Sequence, residues 1–160
     1  MKTVYHSLFH SKMQYGIASW GGCSVTSQLP IFRLQKRALR LVCSQQNRTP
    51  SHPLFIKTKV LKLFDVYRLN ICKIVKKMID DKLDGNLDLL NINNVHDYNT
   101  RLRTKNNFFT QSIQSNLTKS SFSYAGPKFW REVPLNLKSF NYSTFGKHYK
   151  KYLHNCYLNE

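Results

Sequence analysis

Arg33, Lys36, Arg37 and Arg40 stand at i, i+3, i+4 and i+7, the spacing that aligns side chains along one helix face for about two turns. Four cations so placed can track a phosphate backbone, although for a single helix an ordinary solvated face is the alternative. The pattern recurs. Lys73, Lys76 and Lys77 fall on one face of a second helical stretch, and Lys147, Lys150 and Lys151, with His154, on one face of a third. If such faces neutralise roughly six to ten phosphates, affinity should fall about a thousandfold to a hundred-thousandfold between about 50 and 200 mM salt. Base specificity would not follow from that.

Tyr98, Arg101 and Arg103 lie with Lys105 in an otherwise polar stretch. An aromatic ring among cations is the mixture that stacks bases and pairs phosphates in single-stranded or structured RNA; a surface loop whose arginines cap neighbouring carbonyls fits equally. Enzyme chemistry has less to work with. Asp80-Asp81 has the look of a magnesium-holding pair, but it ends a long helix, whereas a polymerase site needs carboxylates converging from a strand turn and a distant strand. His6 and His10 can share a helix face, yet no Cys, Asp or Glu beside them completes a zinc set. No serine triad, glycine-rich phosphate loop or carboxylate dyad is present. The chain alone is therefore expected to be no enzyme, with no catalytic residue, metal ligand or cofactor of its own.

Composition points to the same partner. Lys and Arg number 25 against 8 Asp and Glu in 160 residues, a formal net charge of +17, and self-repulsion of that size is normally relieved by a polyanion. Nucleic acid leads; an anionic membrane surface is second, but no run of about 18 apolar residues and no signal-peptide pattern is present. An intracellular protein, nuclear or cytoplasmic, is expected. Cys23, Cys43, Cys72 and Cys156 are scattered, which suggests reduced thiols rather than a zinc knuckle or a disulfide framework. The apolar fraction of 41% suffices for a folded core.

The elements that must carry these residues are mostly helices. Tyr5, Leu8, Phe9, Met13 and Ile17 repeat at helical spacing and predict a helix over 4–20, ended by Gly21-Gly22. This stripe, so near Met1, is expected to pack on something upstream, as at the end of a larger protein. A second helix is predicted over 27–43, with Pro30 in its first turn and Ile31, Leu34, Ala38, Leu41 and Val42 buried. A turn near Leu54 to Lys57 follows, then a third helix over 61–83. Residues 86–120 are polar and Asn-rich, a linker or contact loop. Alternating aromatics predict short strands at 108–113 and 121–124, followed by a short helix with Phe129 and Trp130 that Pro134 stops. A last helix over 143–157 buries Phe145, Tyr149, Tyr152, Leu153 and Cys156. The expected fold is mainly α: a helical unit over 1–85, the loop over 86–120, and a small α+β or irregular lobe over 121–160.

Several stretches occur in a telling order: Tyr15-Gly16 through Trp20-Gly21, Leu34-Gln35-Lys36-Arg37-Ala38-Leu39-Arg40, Pro53-Leu54-Phe55, Asn99-Thr100-Arg101, Gly126-Pro127-Lys128-Phe129-Trp130 through Val133-Pro134, and Ser143-Thr144-Phe145. Over nearly the whole chain this series resembles the region following the palm in non-LTR, LINE-like (jockey-type) retrotransposon reverse transcriptases. The resemblance implies a thumb-like helical unit and a basic tail holding template RNA or RNA–DNA hybrid beside an upstream polymerase core. Palm aspartates and their Mg2+ belong to that missing core. Val133 stands where the family often has Leu and Gly146 where Lys is common, which affects the expected start of the last helix. Two other readings remain open: a degenerate mobile-element remnant without activity, and an interaction module that docks a partner through Tyr5, Leu8, Phe9 and Met13.

Overall fold

In the computed structural model, which describes residues 2–80, 108–110, 112–113 and 115–158, the chain is mainly helical. The helices are α1 (Lys2–Val4), continued by a π-helical stretch Tyr5–His10 and by α2 (Ser11–Gln14), then α3 (Ile17–Trp20), α4 (Val25–Val42), α5 (His52–Thr58), α6 (Leu63–Ile79), α7 (Asn116–Lys119), α8 (Phe122–Glu132), α9 (Leu135–Lys138) and α10 (Tyr142–Cys156). Among the described residues no helix is long and apolar enough to cross a membrane.

Chain contacts divide the protein into two units: one holds 1–67 and 150–160, the other 68–149. Where the sequence suggested a division in chain order at 85 and 120, α6 and α10 each run from one unit into the other.

In the first unit, the helix predicted over 4–20 breaks at Gly16, whose φ of 59° lies in the left-handed region that glycine enters without steric cost. The Trp20 indole N–H closes the turn on the Tyr15 carbonyl at 2.8 Å. Helix α4 starts two residues earlier than predicted because the Ser24 Oγ accepts the Ser27 N–H, the usual side-chain satisfaction of an orphan helix donor. Its buried face is also rotated from the prediction. Gln28, Gln35 and Leu39 are buried, whereas Leu34 and Leu41 are 54% and 67% exposed. Gln35 Nε2 donates to the Tyr5 hydroxyl (3.0 Å) and the Leu61 carbonyl (2.8 Å), while its Oε1 accepts the Leu63 N–H (2.9 Å). One side chain thus ties three segments together. Around it Tyr5, Leu39, Phe55 and Val60 form the core, flanked by Phe9, Phe32, Ala38 and Val42. The turn predicted near Leu54 is the whole of α5, which Lys59 ends in a left-handed conformation.

The second unit buries Ile71, Cys72, Val75, Ala125, Trp130, Val133, Phe145 and Tyr149. Trp130 meets Phe145 at 5.7 Å between ring centroids, and Phe145 stacks on Tyr149 at 5.5 Å. The strand predicted at 121–124 is instead the start of α8: Ala125, Gly126, Pro127 and Trp130 of that helix are buried, and that packing outweighs the local aromatic alternation. Near 108–113 the described residues hold only an isolated bridge at Phe108. Tyr152 of α10, expected in the core, is 39% exposed.

Candidate nucleic-acid interface

The basic residues of α4 divide into two kinds. Arg33 and Arg37 are exposed, whereas Lys36 and Arg40 are half-buried. Lys36 Nζ sits 4.3 Å from the centre of the Phe32 ring, a cation–π contact that positions the ammonium without neutralising it. Arg40 Nε donates to the Thr49 carbonyl at 2.8 Å, so its guanidinium also fastens the loop after α4. Half of the expected stripe therefore has a structural task as well.

On α6 the expected stripe does not form. Lys76 is 6% exposed; its ammonium pairs with Asp80 at 3.0 Å and donates to the Lys138 carbonyl at 3.1 Å. A buried ammonium survives only with such partners, and Lys76 is thereby withdrawn from any phosphate. Lys73 and Lys77 are half-buried. The Lys73 stem lies against Gly146, where an added Cβ would come within 3.2 Å of Lys73 Cε. On α10, by contrast, Lys147, Lys150 and Lys151 are all exposed. Tyr98, Arg101 and Arg103 lie outside the described residues.

What the carboxylates do decides how much of this charge is expressed. Among the described residues they are Asp65, Asp80 and Glu132. Asp65 accepts the Tyr157 hydroxyl, which itself receives the Lys62 N–H at 2.9 Å. Asp80 takes Lys76 and the Tyr142 N–H (2.9 Å), and Glu132 pairs with Arg68. Each already has a partner within the protein. Arg33, Arg37, Lys57, Lys59, Lys147, Lys150 and Lys151 are exposed, and no described carboxylate pairs with them.

Other titratable groups are tuned by burial. Desolvation lowers His10 to about 4, with the neighbouring charges of His6 and Lys150 acting in the same direction and a Gln14 hydrogen bond opposing them. Burial raises the Cys72 thiol to about 12, which leaves it protonated and unreactive at neutral pH. Among the described residues no group of His, Cys, Asp and Glu is arranged to hold a metal ion.

The first unit also contains a cavity of about 390 Å³ lined by Phe32, Lys36, Ser51, His52, Phe55, Lys62 and Phe64. Its floor is aromatic: Phe32 lies 5.2 Å from Phe64 and 6.2 Å from Phe55 between centroids. Sequence inspection did not single it out. The available signal was Phe32 and Lys36 one helical turn apart and Lys62 just ahead of Phe64, but only the return of the chain through α5 brings those pairs together.

No protein-family model, curated protein or solved structure matches the chain.

Proposed function

We propose that this chain is a nucleic-acid-holding segment, of the kind that follows the palm in non-LTR retrotransposon reverse transcriptases, and that it grips template RNA or RNA–DNA hybrid without polymerising it. The observation that carries the binding claim is the fate of the carboxylates. Among the described residues Asp65, Asp80 and Glu132 are engaged internally and no carboxylate pairs with the exposed cations of α4, α5 and α10, which suits them to phosphate, the anion that a nucleic-acid-binding protein neutralises in this way. The ordered motif series supports the family assignment, and Gln35 and Trp130 from that series are buried at structural centres, where a shared fold would need them.

Replacing Arg33 and Arg37 together with Ala removes two exposed guanidinium groups that no described partner holds. Fluorescence anisotropy with several RNA and hybrid sequences should show a uniform loss of affinity and a salt slope shallower by about two charges. Unchanged affinity would remove α4 from the interface.

A further inference from the structure

The cavity shares one residue, Lys36, with the α4 stripe, and its chemistry is mixed: three phenylalanine rings together with two lysines, a serine and a histidine. At about 390 Å³ it falls in the small-ligand range of roughly 300–1,000 Å³, enough for a nucleotide and too little for a helix of nucleic acid. Phe55 is fully buried and serves as floor, while Phe32 and Phe64 are half-buried and present ring surface. Lys36 Nζ stands over Phe32. His52 Nε2 lies 3.2 Å from the Tyr157 carbonyl; since a carbonyl only accepts, this nitrogen is the donor. Ser51 adds a hydroxyl.

Resting on the nucleic-acid reading above, we propose that this cavity receives one unstacked nucleotide of a bound single strand, its base against Phe64 and its phosphate at the Lys36 ammonium. Every base has a π face, so stacking of this kind tolerates sequence. The cavity would let the chain favour a single-stranded segment over a duplex, in which the bases are already stacked.

The test uses the full chain and three ligands of equal phosphate number: oligo-uridine, a duplex, and a strand of abasic sugar-phosphate units. Wild-type protein should bind the abasic strand roughly fivefold to a hundredfold more weakly than oligo-uridine; equal affinity overturns the proposal with no mutation involved. Phe64→Leu keeps apolar volume and removes the ring. It should lower oligo-uridine affinity over that range while leaving duplex affinity and the salt slope unchanged, and an equal loss on both ligands would mark Phe64 as structural and overturn the proposal. Lys36→Gln should reduce the single-strand slope by about one charge. Uridine monophosphate binding more tightly than the oligomer would make this a free-nucleotide site and overturn the strand assignment. If wild-type protein bound no nucleic acid at all, the underlying reading would fail first, an outcome distinct from equal binding of abasic and base-bearing strands.

Discussion

Lys36 and Lys76 have the same chemistry and nearly the same sequence surroundings, a basic residue one helical turn from others of its kind, yet one ammonium rests on a ring at the rim of a cavity and the other is buried on Asp80. Burial and partner, not residue type, determine which cation can meet a phosphate. His10 follows the same principle on the pH axis. Its folded value of about 4 lies below the ordinary 6.5, so between these limits the unfolded chain binds the extra proton. Stability contributed by the neutral ring is complete above pH 6.5 and is lost as pH falls toward 4. The full shift would correspond to about 3 kcal/mol; because the ring is only half-buried, solvent screening reduces this to about 1–2 kcal/mol. Urea denaturation between pH 7 and pH 4.5 should show that loss, and His10→Gln should flatten it. An identical slope in the variant would assign the pH dependence to other groups.

At the scale of elements, helical periodicity was legible wherever a long apolar repeat met a clear stop. Helices α4, α6 and α10 lie within a few residues of the predicted spans wherever the structure describes them. The inward face of α4 was not legible, because its centre is a glutamine. Whether Gln35 is buried depends on the Leu61 carbonyl and Leu63 N–H, more than twenty residues away, and no local window contains them. Ser121 to Tyr124 was misread for a related reason: alternating aromatics suit a strand, but the buried Trp130 and Pro127 later in the segment bind it as a helix. Gln35 also yields a direct test. Gln35→Leu would leave the Tyr5 hydroxyl and two backbone groups buried without their partner, at about 1–3 kcal/mol each and less than additively. A stability loss of about 3 kcal/mol is expected from chemical denaturation; a loss under about 1 kcal/mol would show that the junction has other support.

At the scale of the whole molecule, the net charge of +17 was legible from composition, and its distribution was legible in part. Lys147, Lys150 and Lys151 of α10 and Arg33 and Arg37 of α4 are exposed, whereas Lys76 and Lys73 of α6 are drawn into the fold by Asp80, the Lys138 carbonyl and Gly146. The cavity under Phe32 was invisible to spacing because it is assembled from α4, α5 and the start of α6. The central claim, that the exposed cations act together on a phosphate backbone, is met most directly by the salt dependence of binding. Anisotropy of labelled single-stranded RNA and RNA–DNA hybrid, titrated with the full chain from about 50 to 200 mM salt, should show affinity falling by roughly a thousandfold or more. A fall of less than about tenfold over that range would contradict it, since so shallow a slope corresponds to about two phosphates rather than a tract of them.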